Sequence, residues 1–195
     1  PFFAYISTNA PHGPYFVEDR YADPYRKKGV PENMARFYGM IENLDENLGR
    51  LRNRLSELGL AENTIFLFMT DNGSAEGIQL EGNGFAQTGP GWVGFNAGMR
   101  GRKGSEYDGG HRVPLFVHWP AGNLGKTRDI GTLTAHIDVL PTLAAIAGAK
   151  TPAGIDGRSL LPLLKGGSRW PERTLTVHSQ RIEFPEKWRQ SAVMT

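Results

Sequence analysis

The chain has no cysteine in its 195 residues, which excludes disulfides, thiolate metal sites and a cysteine nucleophile within it and leaves the redox compartment open. Long hydrophobic runs are lacking too, since no apolar stretch approaches the roughly 18 residues of a membrane-spanning helix. Neither charge dominates: 22 Lys and Arg stand against 20 Asp and Glu, a net charge of +2. That balance carries no footprint for nucleic acid or an anionic membrane. The opening residues, Pro1 to Ser7, lack the basic start and small-residue cleavage site of a signal peptide. What is present is a 39% hydrophobic content, enough for one globular domain with a sizeable core. Partners must therefore be argued from sites.

Phe2 to Ser7 reads as a strand buried on both faces, leading into a loop rich in Pro, Gly and Tyr from Thr8 to about Pro31. Met34, Phe37, Ile41, Leu44, Leu48, Leu51, Leu55 and Leu58 then recur at steps of three and four. That stripe predicts a long amphipathic helix, with Pro31 near its start and Gly59 near its end. A strand over Thr64 to Thr70 completes a strand, helix, strand unit, which normally makes parallel neighbours and an α/β fold. Asp71 follows at a carboxyl end, where ligands of open α/β sheets bind.

From Gly73 to Gly101 runs a long glycine-rich loop containing Phe85, Trp92 and Phe95; loops of that length are commonly functional or disordered. Val113 to Trp119 reads as a third strand. Asp138 can cap a helix running through Ile146, with Pro141 tolerated in its first turn and Gly148 as terminator. A short helix near Ser159 to Leu164 and a strand near Thr174 to His178 come next. Ser191 to Thr195 looks like one more strand, cut short. A chain that starts and stops in strands is expected to be a fragment of a longer protein.

Three stretches carry candidate chemistry, each with a plain alternative. Asp71-Asn72-Gly73 suits a tight turn; it equally offers one charged and one neutral oxygen to a hard cation such as Ca²⁺. "GMRGRKGSEYDGGHRVP", Gly98 to Pro114, gathers Arg100, Arg102, Lys103 and Arg112 among glycines. It is either a solvated basic loop, partly neutralised by Glu106 and Asp108, or an oxyanion pocket in which glycines admit close backbone approach. His12 lies in the loop after the first strand, a candidate for proton transfer. His111, His118, His136 and His178 show no close pairing, so a histidine metal cage is not expected. Trp92 and Phe95 either anchor their loop or shape a substrate pocket.

Taken together, "PFFAYISTNAPHGPY", "YGMIENLDENLGRL", "TIFLFMTDNGS", "GRKGSEYDGGHRVPLFVHWPAG", "HIDVLPTLAAIAGA" and "GIDGRSLLPLLKG" resemble the sulfatases of the alkaline phosphatase superfamily, in family order and over nearly the whole chain. The resemblance implies a three-layer αβα catalytic domain with a mostly parallel central sheet, of which residues 1–195 would be the middle-to-late portion, a carboxyl-terminal subdomain starting from about residue 172. By the same resemblance Asp71 and Asn72 are ligands of an active-site Ca²⁺, or of Mg²⁺ in its place. Lys103 holds the sulfate and leaving-group oxygen, His12 stands beside it, and Arg112 supports the loop.

The family's nucleophile is a formylglycine made from Cys or Ser in a Cys/Ser-x-Pro/Ala-x-Arg context, and its hydrate attacks sulfur. No serine here stands in that context. Formylglycine is therefore expected in a missing amino-terminal part, and this chain by itself is expected to be inactive. Its implied partners are a sulfate ester and the remainder of the same polypeptide, with no nucleic acid and no membrane span. Periplasmic or secreted localisation is the family expectation. The competing readings are a phosphomonoesterase or phosphodiesterase of the same superfamily, for which His would be expected after Asp71, and a noncatalytic binder of sulfated glycans.

Overall fold

The computed structural model describes residues 1–74, 96–180 and 182–195. It divides into two compact units, Pro1–Ala61 with Met69–Pro114, and Glu62–Phe68 with Leu115–Thr195.

The first unit is organised by two helices, α1 (Asp19–Arg26) and α2 (Glu32–Glu57). Helix α2 is the one the apolar stripe predicts. Pro31 occupies its N-cap with extended backbone, and its far end closes at Gly59, whose φ is +66°. There the Gly59 amide donates to Ser56 O and the Leu60 amide to Leu55 O, so a left-handed glycine satisfies carbonyls the helix leaves open. Met34, Ala35, Gly39 and Met40 are buried. A Cβ on Gly39 would stand 3.1 Å from Ala22 N and from Val17 Cγ1, so the missing side chain is what lets α1 lie this close. Ala22, Val30, Met34 and Ala35 form the packed cluster, flanked by Val17, Tyr25, Phe37 and Tyr38.

Helix α1 corrects the expectation of an unbroken loop from Thr8 to Pro31. Its sequence carries Pro24 inside the helix, a residue that removes a backbone donor and reads as a breaker. Burial of Tyr21 and Ala22 against α2 outweighs that local preference. Arg26, in the last turn, adds ion pairs to Asp19 at 2.8 Å, Asp23 at 2.7 Å and Glu32 at 2.7 Å. The strand expected over Phe2 to Ser7 is also corrected. That segment joins no ladder among the described residues, and Phe3 and Tyr5 are 79% and 78% exposed. An apolar run becomes a strand only when a neighbour supplies hydrogen-bond partners.

Hydrogen bonds from Arg26, then from Arg36, hold the Glu32 carboxyl down to about 2. Because the folded value is depressed, the stabilisation is full above the usual carboxylate range and fades as pH falls toward 2. Glu32 is half exposed, so screening limits the effect: Glu32→Gln is expected to cost about 0.5–1 kcal/mol near neutral pH. Urea titrations of both forms at neutral pH and near pH 2 should show that gap closing in acid. A gap of constant size would contradict the assignment.

In the second unit, strand β1 (Phe66–Met69) pairs with β2 (Leu115–His118), within the expected ranges 64–70 and 113–119. The rings of Phe68 and Phe116 lie 6.3 Å apart. Helices α4 (Val139–Ala147) and α5 (Leu161–Leu164) share with these strands an apolar cavity lined by Leu67, Val117, Leu143, Ile146, Leu160 and Leu164. The short helix α3 (Asp108–His111) belongs to the site described below. The end of α4 repeats the closure of α2, with Gly148 at φ +66° and the Ala149 amide donating to Ala144 O at 2.9 Å. Strand β3 (Leu175–His178) pairs antiparallel with β4 (Ser191–Met194), Leu175 opposite Met194 and His178 opposite Ser191.

Asp138 stands at the N-cap position of α4 but corrects the expectation of a side-chain cap. Its side chain makes no capping bond to α4. Buried completely, it accepts hydrogen bonds from the Ala135 and Arg158 amides, each at 2.8 Å, and from Arg173 Nη1 at 2.9 and 2.8 Å. Thr142 Oγ1 donates to Asp138 O at 2.6 Å and accepts from the Leu160 amide at 2.7 Å. One carboxylate and one hydroxyl thus tie the start of α4 to the segment that enters α5 and to the approach to β3.

Candidate active site

Strand β1 ends at Met69, and Asp71 to Ser74 form the turn that leaves it. This turn is held by the glycine-rich loop, within the first unit. The Gly73 amide donates to Gly110 O at 2.9 Å, and the Lys103 amide donates to Ser74 O at 3.0 Å. Two backbone bonds therefore fasten the turn that follows Asp71 and Asn72 to the loop that carries Lys103. The approach is close enough to require glycine: a Cβ on Gly73 would lie 1.8 Å from Gly109 O, one on Gly109 2.1 Å from Gly101 O, and one on Gly110 2.3 Å from Ser105 O.

The loop is internally braced. Its short helix α3 (Asp108–His111) begins where the Gly109 amide donates to Arg100 O at 2.7 Å and ends where the Arg112 amide donates to Asp108 O at 2.8 Å. Ser105 closes a turn on Arg102, its amide and its hydroxyl both donating to Arg102 O, at 2.9 and 2.8 Å. His111 Nε2 donates to Glu106 O at 3.1 Å, and Asn96 Nδ2 donates to Met99 O at 2.6 Å. With so many local bonds, Lys103 leaves a fixed backbone rather than a floppy tip.

Asp71 is exposed and Asn72 half-buried. Asn72 Nδ2 donates to Gly73 O at 3.1 Å, so the carboxamide nitrogen is occupied and its oxygen is the atom left to accept. A carboxylate and an oriented amide oxygen are the donor types a hard divalent cation takes. These two residues fit such an ion as part of its shell. They do not complete it, because no group of three His, Cys, Asp or Glu able to hold a metal exists among the described residues.

His12 is exposed; its Nδ1 donates to Gly13 O at 2.8 Å, which leaves Nε2 as the ring nitrogen free to act. No hydrogen bond or ion pair joins it to residues 71–74 or 100–112 among the described residues. Among the described residues the Arg112 guanidinium reaches only Asp108, at 3.7 Å and largely in solvent, while its backbone amide donates to Asp108 O within the loop. Trp92 and Phe95 lie outside the described residues. Sequence reasoning missed Tyr107, whose ring carries the Arg100 guanidinium at 3.7 Å; nothing in their spacing signals the stack. It also missed Gly73 and Gly110 as a contact, since neither glycine announces its partner.

The Sulfatase family model matches residues 1–149. Mouse steryl-sulfatase is 34% identical over 182 residues, covering 91% of this chain and 27% of that protein. Human arylsulfatase A is 34% identical over 178 residues, covering 90% of this chain and 31% of that protein. The crystal structure of Ps i-CgsB in complex with k-i-k-neocarrahexaose aligns with a TM-score of 0.71 and 25% identity over 88% of this chain and 35% of that one. The chain thus spans about a third or less of the length of these relatives. The match runs through β1, the Asp71 turn and the Lys103 loop to the end of α4, and on that ground the chain belongs to the sulfatases, α/β proteins of the alkaline phosphatase superfamily.

Proposed function

We propose that this chain is the middle-to-late portion of a sulfatase catalytic domain and supplies the sulfate-holding half of an active site that hydrolyses a sulfate monoester. The observation that carries the reading is the pair of backbone bonds joining Gly73 and Ser74 to Gly110 and Lys103. They support it by tying the backbone just after Asp71 and Asn72 to the backbone of the Lys103 loop. The three-layer sheet, the subdomain from about residue 172 and a periplasmic or secreted location belong to the same proposal. So does a formylglycine contributed by the rest of the polypeptide.

In this reading Asp71 and Asn72 hold one Ca²⁺, or Mg²⁺ in its place. A bound divalent cation would neutralise charge on the sulfate oxygens. Lys103 binds a sulfate oxygen as a compact point charge and follows the negative charge onto the leaving oxygen as the S–O bond breaks. Its fixed backbone means little reorganisation is needed at that moment, which is the condition under which one such group lowers a barrier by several kcal/mol. His12 donates its Nδ1 proton to Gly13 O and presents Nε2, which in the doubly protonated ring would give its proton to the leaving ester oxygen as the S–O bond breaks. Arg112 supports the loop through its backbone amide. Trp92 and Phe95 shape the pocket for the organic part.

The test is hydrolysis of 4-nitrophenyl sulfate by the complete polypeptide. Lys103→Ala and Asp71→Ala should each lower kcat/KM by about 10²–10³, and a chelator should abolish activity reversibly. Full activity in both variants would overturn the assignment. Parallel assays with 4-nitrophenyl phosphate address the phosphohydrolase alternative. Asn72, a neutral oxygen donor where a zinc enzyme would need a nitrogen, favours the sulfate ester.

A further inference from the structure

The peptide unit joining Arg102 to Lys103 is planar, so its tilt is set once its carbonyl oxygen and its amide hydrogen are both held. Here both are. The Lys103 amide donates to Ser74 O at 3.0 Å, and Arg102 O accepts from the Ser105 amide at 2.9 Å and from the Ser105 hydroxyl at 2.8 Å. The oxygen and the hydrogen of a trans peptide point in opposite directions, so Ser74 and Ser105 grip this unit from its two sides. The Ser105 hydroxyl also accepts from the Arg102 amide at 3.1 Å, which extends the hold to the preceding peptide unit.

The neighbouring glycines leave room for that hydroxyl. A Cβ on Gly101 would lie 2.3 Å from Ser105 Oγ, and one on Gly110 would lie 2.9 Å from it. The single O–H of Ser105 is already given to Arg102 O, so it has no proton left to donate to a substrate oxygen. What it governs is the backbone. The peptide planes on either side of a Cα set the direction in which the side chain leaves it, and Ser105 holds one of the two planes at Lys103.

We infer that Ser105 is a positioning residue for Lys103: its hydroxyl fixes the direction in which the lysine side chain leaves the loop. This rests on the sulfate-holding role proposed for Lys103 and adds how its side chain is aimed.

Hydrolysis of 4-nitrophenyl sulfate and of phenyl sulfate, whose leaving oxygen is the more basic, by the complete polypeptide tests it. Ser105→Ala keeps the backbone amide bond to Arg102 O, so the variant should remain folded by circular dichroism. Its kcat/KM for 4-nitrophenyl sulfate should fall about tenfold, less than the roughly 10²-fold that a displacement near 1 Å brings. The loss should be larger on phenyl sulfate, because a misdirected ammonium neutralises the leaving oxygen less well. Lys103→Ala should order the two esters in the same way. Added to Lys103→Ala, the Ser105→Ala change should cost less than about twofold, since residues that act as a unit are not additive. Ser105→Thr retains the hydroxyl and should retain most of the activity.

Losses that multiply in the double variant, an equal loss on both esters in Ser105→Ala, or a Ser105→Thr enzyme as slow as Ser105→Ala overturn the positioning role. Full activity of Ser105→Ala beside a slow Lys103→Ala overturns it too, and leaves the sulfate-holding role standing. Full activity of Lys103→Ala overturns that underlying role instead, and the positioning role falls with it.

Discussion

Replacing Asp138 by Ala is expected to lower the stability of the second unit by about 3–5 kcal/mol, the largest loss any single side-chain truncation should produce there. Asp138 is fully buried and the Arg173 side chain is 4% exposed. Removing the carboxylate leaves a guanidinium in the interior with no counter-charge among the described residues, and there Arg173 Nη2 has no hydrogen-bond partner even with Asp138 in place. The Ala135 and Arg158 amides lose their acceptor as well, and each buried donor left unsatisfied adds about 1–3 kcal/mol in isolation. These terms overlap, so they do not sum.

The discriminating experiment is a double-mutant cycle. If the penalty is the stranded charge, Asp138→Leu with Arg173→Met should be more stable than Asp138→Ala alone, because an apolar pair of similar volume has no desolvated ion. Urea unfolding followed by tryptophan fluorescence reads this unit once Trp92 is replaced by Phe, since the other three tryptophans, Trp119, Trp170 and Trp188, all lie in it. Additive effects of the two substitutions would show that the pair contributes only packing.

Asp138 also shows where sequence reading reaches its limit. The helix after it was legible, because an apolar run ended by glycine is a local pattern and Gly148 stands where the pattern ends. Helix α2 was legible for the same reason. The partners of Asp138 were not, since Arg158 and Arg173 lie 20 and 35 positions further along and nothing local marks either. Helix α1 was hidden by Pro24, and only packing against Gly39 explains why it forms. Phe2 to Ser7 failed in the opposite direction: its composition suits a strand, but a strand is a property of pairs. At the site, the residue types of Asp71, Asn72 and Lys103 were readable, along with their likeness to a family. What holds them together was not, because a glycine's contribution is the space it leaves and its neighbour is set by the fold.

That space yields the second large effect. Gly73→Ala should both destabilise the first unit and cripple catalysis by the complete enzyme, although it removes no functional group. The added methyl would fall 1.8 Å from Gly109 O and 2.8 Å from Gly109 C, which is backbone and cannot rotate away as a side chain could. Relief requires the turn and the loop to separate, breaking the bonds of Gly73 to Gly110 and of Lys103 to Ser74. Overpacking of this kind typically costs about 1–3 kcal/mol and occasionally more.

The catalytic penalty should exceed what the loss of fold implies. A displacement near 1 Å between groups that must act together is worth about 10²-fold in rate. We therefore expect kcat for 4-nitrophenyl sulfate to fall by about two orders of magnitude at a temperature where the variant remains folded by circular dichroism. Gly104→Ala provides the contrast: a Cβ there meets nothing within 4 Å, although its φ of +84° still strains an alanine. Backbone strain alone should lower stability in Gly104→Ala with a much smaller change in kcat. If the two variants lose activity equally, distance between Asp71 and Lys103 is not what the Gly73 contact protects, and that contact is a device for stability only.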